Sequence, residues 1–297
     1  MKCDLCPRKC LVDRKKGEKG ICGQTENLKV ARAALHFWEE PCISGDAGSG
    51  AVFFSGCPLH CVFCQNENIA NGTVGKEISL ERLVDIFLEL QEKRANNINL
   101  VTPGHFVPQI VKALDQARKE GLTLPVVYNT SSYETVDTIK MLEGYVDIYL
   151  PDFKYMSPVL SKKYSHAPDY AEVAKAAIAE MVRQTGKAVF VNGEEDNLIL
   201  SGTIVRHLTL PGCMADSMQI VKYLHDTYGD MIYISIMNQF TPLSNLEKYP
   251  ELNRRITDVE YETLVDYAID IGIENGFIQE GNTAEESFIP AFDCEGV

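Results

Sequence analysis

The chain has 297 residues, 45% of them hydrophobic and 24% charged, with ten cysteines and a formal net charge of −14. That size suits one α/β barrel, which commonly runs roughly 200 to 250 residues, together with a small appendage. So negative a balance argues against a surface that wraps nucleic acid by neutralising phosphates, and no run of about eighteen apolar residues is present to span a bilayer.

The first ten residues, MKCDLCPRKC, are basic but lack the apolar core of a secretory signal, so the chain is expected in the cytoplasm. In that reducing compartment disulfides are rare, and clustered cysteines point to metal or cluster ligation. Seven of the ten fall into two groups. The first, Cys3, Cys6, Cys10 and Cys22, reads C-x2-C-x3-C-x11-C in a segment rich in Lys and Arg and poor in core-forming side chains. Such a segment needs a staple other than apolar burial. Four thiolates would serve a structural zinc or an auxiliary iron-sulfur cluster, and spacing alone does not separate the two. The bland alternative is free thiols in a flexible tail. Residues 1–45 are therefore read as a cysteine-rich metal or cluster segment and residues 46–297 as the barrel. Cys42 either approaches the first group or packs as a small hydrophobe, while Cys213 and Cys294 stand alone. His36, Trp38, Glu39 and Glu40 precede the barrel, either lining a substrate pocket or bracing the appendage.

From Ala51 onward, short β-rich runs alternate with amphipathic stretches, the pattern of βα units around a parallel sheet. The expected strands are 51–55, 98–102, 126–129, 147–150, 204–208 and 231–236. The expected helices are 80–93, 107–119, 133–142, 170–185, 215–228 and 259–273. In the first helix Leu80, Leu83, Val84, Phe87 and Leu90 share a face, and Ser79 is a good N-cap. Residues 187–191 and 198–200, joined through NGEEDN, read as an inserted hairpin or a strand followed by a loop, and 237–255 as a long functional connection. The whole is an incomplete (β/α)6 TIM-type barrel. In such barrels reactive groups sit at the C-terminal ends of strands, where Thr102 to His105, Asn129, Thr130, Asp152, Lys154, Asn238 and Gln239 fall.

The second cysteine group follows the first barrel strand: Ser55-Gly-Cys-Pro-Leu-His-Cys-Val-Phe-Cys64. A four-iron cubane takes four ligands, so three thiolates from Cys57, Cys61 and Cys64 leave one iron open. An open iron can chelate the amino and carboxylate groups of S-adenosylmethionine (SAM), with the chemistry supplied by the cofactor. The competing reading is a zinc site with His60 as fourth ligand.

At this loop the sequence resembles the radical SAM superfamily, whose motif is C-x3-C-x2-C with an aromatic residue before the last cysteine; Cys57, Cys61, Phe63 and Cys64 match it. More narrowly, the chain is similar to the glycyl-radical-enzyme activating group and its pyruvate formate-lyase activating-enzyme-like members. CDLCPRKC, RAALHFWEEPCISG, FFSGC, CQN, VTPGH, YLPDFKYM, VRHLTLPG and MNQFTP carry that likeness, from Met1 to about Gln239. The resemblance implies an oxidoreductase that holds a 4Fe-4S cluster at Cys57, Cys61 and Cys64 and reductively cleaves SAM to an adenosyl radical for hydrogen abstraction. It implies a flavodoxin- or ferredoxin-type reductant and a substrate protein or small molecule. Phe63 would lie against the adenine and His105 would contact SAM, although Pro103-Gly104-His105 departs from the Gly-Gly-Glu of the group. Thr130, Asp152 and Lys154 would hold the SAM carboxylate and a monovalent cation, with Asn129 replacing an Asp. Arg206 would reach SAM, and Asn238 stands where the group carries a His. The alternatives are a radical SAM maturase of a peptide or small molecule, and a non-catalytic iron-sulfur electron-transfer protein.

Overall fold

The computed structural model describes residues 2–193, 197–243, 246–279 and 290–297. Its core is one sheet of strands β1 (Leu28–His36), β2 (Ser49–Phe54), β3 (Lys76–Ile78), β4 (Ile98–Val101), β5 (Val126–Thr130), β6 (Ile148–Pro151), β8 (Ile199–Leu208), β9 (Tyr233–Met237) and β10 (Gly276–Ile278). A further short strand, β7 (Val189–Phe190), pairs with β8 alone. The order is β10-β9-β8-β6-β5-β4-β2-β1-β3. From β2 to β10 every neighbouring pair is parallel, whereas β1 runs antiparallel to both β2 and β3.

All six expected strands and all six expected helices are present. Parallel strands buried on both faces read as continuous apolar runs, and β4, β6 and β9 are buried throughout. The helix Leu80–Glu92 buries Leu83, Val84, Ile86, Phe87 and Leu90, each stabilising by roughly 1.5–3 kcal/mol relative to exposure. Its Ser79 cap accepts from the Arg82 amide at 3.1 Å. The helix expected over 133–142 is shorter, Val136–Lys140, because the Thr135 side chain caps at that point and Ser132 sits in a left-handed conformation (φ 62°) just before it. The inserted hairpin exists as β7 against the first residues of β8, while its tip, 194–196, lies outside the described residues.

Among the elements that were not anticipated, three extend the barrel. β1 brings residues 28–36 of the cysteine-rich segment into the barrel sheet, so that segment is joined to the barrel by backbone pairing well before residue 45. The helix Pro158–Ser165 follows β6, and β10 extends the parallel sheet beyond β9. Among the described residues no helix is long and apolar enough to cross a membrane.

Candidate active site

The polar ends of β2, β4, β5, β6, β8 and β9 open into one cavity of about 520 Å³, within the range that takes a nucleoside-sized ligand. Cys57, Cys61 and Cys64 line it together with Phe63, Asn129, Thr130, Asp152, Lys154 and Arg206.

The cysteine loop is shaped by its backbone. Gly56 has φ 94°, a region open to glycine, and its amide donates to the Ile69 carbonyl at 2.7 Å. The Val62 amide donates to Tyr164 O at 2.9 Å, and the Ser165 hydroxyl donates to Cys61 Sγ at 3.0 Å. Burial pushes the Cys57 thiol up to about 11 and the Cys64 thiol up to about 12, with the neighbouring thiols adding to the effect. Thiolates so crowded and buried call for nearby positive charge, which iron would supply. His60 is turned away: its Nε2 donates to the Ile21 carbonyl at 2.8 Å, so the loop presents three thiols and no imidazole. Phe63 is buried edge-on against Phe240, Tyr155 and Tyr164, with ring centroids 5.9, 6.4 and 6.5 Å away. These donors fit a 4Fe-4S cluster with one open iron, and the adjoining cavity fits SAM.

The cavity floor is a charged network centred on Arg206. Its Nε donates to Asp152 Oδ1 at 3.0 Å, its Nη1 to Glu39 Oε2 at 3.0 Å and its Nη2 to Asn129 Oδ1 at 2.6 Å. Lys154 Nζ lies 2.7 Å from Asp152 Oδ2. Burial works against the Asp152 carboxylate, but Lys154 and Arg206 outweigh it and hold its pKa below the usual value. Burial likewise opposes charge on Lys154, yet Asp152, with Cys61, raises its pKa. Glu39 Oε1 accepts from both Asn99 and Asn129 at 3.1 Å. Beside it, Glu40 is buried, and its carboxyl pKa is raised by burial against the pull of Arg206.

Three expectations need correction. His105 does not reach this cavity: it is buried, its Nε2 donates to Ser55 O at 2.7 Å, and its ring packs on Phe106. Thr102, with φ 56°, turns the chain out of β4 and carries His105 behind the cysteine loop. Asn238 is not among the residues lining the cavity; Met237, Gln239 and Phe240 are, and the Asn238 amide donates to Gln279 Oε1 at 3.0 Å. The residues expected to hold a monovalent cation do not fit one, because Lys154 and Arg206 already place positive charge on both Asp152 oxygens and Arg206 takes the Asn129 oxygen.

His36, Trp38, Glu39 and Glu40 line the cavity, and Glu39 also braces the appendage to the barrel through Asn99, Asn129 and Arg206, so the two readings left open for this stretch coexist. Sequence reasoning missed Ser235, which also lines it; its outward signal was its place near the end of a barrel strand. On the far side of the loop, Cys3, Cys6, Cys10 and Cys22 line a second, smaller cavity with His105 and Glu134. Burial raises the Glu134 carboxyl to about 7, and Tyr128 Oη donates to it at 2.8 Å.

Residues 51–197 match the family model described as the radical SAM superfamily. An uncharacterized protein of Methanocaldococcus jannaschii is 27% identical over 272 residues, covering 90% of this chain and 74% of that protein. Similar solved structures include Streptococcus suis SuiB bound to S-adenosylmethionine, at TM-score 0.52 and 14% identity, covering 76% of this chain and 48% of SuiB. The FeFe-hydrogenase maturase HydG gives TM-score 0.51 at 14% identity, over 76% of this chain and 50% of HydG. Spore photoproduct lyase with bound S-adenosylmethionine gives TM-score 0.50 at 13% identity, over 76% of this chain and 74% of the lyase. The chain thus spans about half the length of SuiB and HydG, and at these identities the likeness is one of fold. The three-thiol loop after the first barrel strand, most of β2 and the parallel strands β4, β5 and β6 lie within the residues that match the radical SAM superfamily model, and the solved structures share the fold.

Proposed function

We propose that the protein reductively cleaves SAM at Cys57, Cys61 and Cys64 to generate an adenosyl radical that abstracts a hydrogen atom, and that its substrate is a backbone glycine of a partner enzyme. The supporting observation is the junction of a three-thiol loop, its imidazole turned away, with a cavity floored by Arg206, Asp152 and Lys154. The substrate half rests on the motif likeness to activating enzymes.

When bound, a reduced 4Fe-4S cluster supplies the electron that breaks a carbon-sulfur bond of SAM. Cys57, Cys61 and Cys64 would hold such a cluster through three thiolates, one fewer than its irons. Phe63, fixed by its three aromatic neighbours, offers an apolar wall to a purine. Arg206 and Lys154 present donors toward a ligand carboxylate, and Asp152 keeps both cationic and in place. Glu39, paired with Arg206, places a carboxylate on the floor, complementary to a sulfonium. The work is set in the cytoplasm, with a flavodoxin- or ferredoxin-type protein as reductant.

Anaerobic reconstitution with iron and sulfide, then dithionite and SAM, should yield 5′-deoxyadenosine and methionine, and Cys57→Ala, Cys61→Ala or Cys64→Ala should each abolish both. An intact cluster without those products overturns the proposal. Incubation with candidate glycyl radical enzymes, followed by electron paramagnetic resonance, tests the glycine; its failure while SAM is still cleaved shifts the substrate to a peptide or small molecule.

A further inference from the structure

The four N-terminal cysteines are folded into one site. Leu11 N donates to Cys3 O at 3.0 Å and Cys3 N to Val12 O at 2.9 Å, closing a small hairpin that carries Cys6 and Cys10 at its turn. The Gly20 to Gly23 turn, with Gly23 N donating to Gly20 O at 2.9 Å, brings Cys22 alongside: a Cβ built on Gly20 would stand 3.3 Å from Cys10 Sγ and 3.8 Å from Cys22 Sγ. All four cysteines line one cavity.

A second observation points to a ligand there. His105, 5% exposed, lines the same cavity; because its Nε2 hydrogen is donated to Ser55 O, its Nδ1 keeps a lone pair, and this buried atom has no hydrogen-bond partner. Glu134, 6% exposed, also lines the cavity with its Oε2 unpartnered. Buried polar atoms without partners are rare in folded chains, so this pair marks the cavity as a place that a further group occupies.

The site is bolted to the loop that carries Cys57. Arg8 Nε donates to Pro58 O at 2.9 Å, His60 donates to Ile21 O at 2.8 Å, and Gly56 packs against the Cys22 carbonyl so closely that a Cβ would overlap it. Among the described residues no three His, Cys, Asp or Glu side chains are placed to hold a single metal ion. The Cys57, Cys61 and Cys64 group, which suits a four-iron cluster, fails the same single-ion requirement, so the N-terminal thiols share its character.

We propose that Cys3, Cys6, Cys10 and Cys22 hold a second iron-sulfur cluster, fully ligated by protein and set directly behind the Cys57 to Cys64 loop. This stands whether or not SAM is cleaved at the other site.

The test uses the full chain with Cys57, Cys61 and Cys64 all changed to Ala, reconstituted anaerobically with iron and sulfide. It should retain about four irons and four sulfides per chain against about eight of each for the parent, with a cluster signal in electron paramagnetic resonance after dithionite. Adding Cys10→Ser to that variant should lower the iron content while circular dichroism stays unchanged. About one zinc per chain, no bound metal, or iron indifferent to Cys10→Ser would each overturn the proposal. Loss of SAM cleavage in the parent with the iron count intact would bear only on the proposed activity.

Discussion

Asn129 bridges Glu39 and Arg206: its Nδ2 donates to Glu39 Oε1 at 3.1 Å while its Oδ1 accepts from Arg206 Nη2 at 2.6 Å. An aspartate, the residue the activating group carries at this place, could accept from Arg206 but could not donate to Glu39. Asn129→Asp would set two carboxylates at hydrogen-bond distance in a buried site, and one of them would have to take up a proton. The expected cost is about 1–3 kcal/mol at neutral pH, shrinking as the solution is acidified and the pair shares a proton. Urea denaturation at two pH values checks it; a loss that does not change with pH would show that the amide matters for another reason.

Arg206 hydrogen-bonds Asp152, Glu39 and Asn129 at once. Arg206→Met would leave buried carboxylates short of positive charge, a change that typically destabilises by about 3–5 kcal/mol. Arg206→Lys keeps the charge but loses the planar fork, so it should fall between Met and the parent in stability and bind SAM more weakly. Equal stability of all three proteins would contradict the role assigned here.

His207 lies beneath the site, its Nδ1 against Phe153 O at 2.8 Å and its Nε2 against Ser217 Oγ at 2.9 Å. Burial lowers its pKa from 6.5 to about 4, with Lys154 pushing the same way and the Phe153 carbonyl and Asp152 opposing. The unfolded chain therefore binds a proton that the folded chain refuses between those values. The contribution is fully present above about pH 6.5 and is lost as the pH falls toward 4, on the order of 3 kcal/mol in all. His207→Gln should flatten stability between pH 4 and 6.5 by that amount, read as denaturation midpoints across the window. Parallel pH profiles for the two proteins would reject this.

Gly56 ties the N-terminal segment to the cysteine loop. Gly56→Ala meets both a left-handed backbone and the Cys22 carbonyl with Gln24, at a cost of about 1–3 kcal/mol for the strain alone. The segment should loosen, and trypsin should cleave faster at Lys15, Lys16 and Lys19. Unchanged cleavage would mean that the segment is held by its other contacts.

Much of the barrel was legible because its strands are apolar runs and its helices carry apolar faces at the helical period. β1 was not: its Ala-rich run Ala31 to Ala34 has weak strand preference, and an irregularity between Val30 and Arg32 breaks the alternation that would reveal it. The helix Pro158–Ser165 does carry a signal in the sequence, Ser157 as cap with Pro158 at the first position. The rule placing polar groups at strand ends located Asn129, Thr130, Asp152 and Lys154 around one cavity, whereas Arg206, within its strand, was indicated by the resemblance alone. It could not say where His105 points, since that depends on one backbone angle at Thr102.

The last residues of the chain lie against β1 beyond its pairing with β3. Cys294 N donates to Ala31 O at 3.0 Å, Ala33 N donates to Glu295 O at 2.8 Å, and Arg32 pairs with Asp293 and Glu295. A chain shortened to end before Pro290 would bare this row of amides and carbonyls as a template on which a second copy's strand could add. Residues 293–295 thereby cover this edge of β1, and removing them should increase self-association on size-exclusion chromatography even if every group around the cavity stays in place.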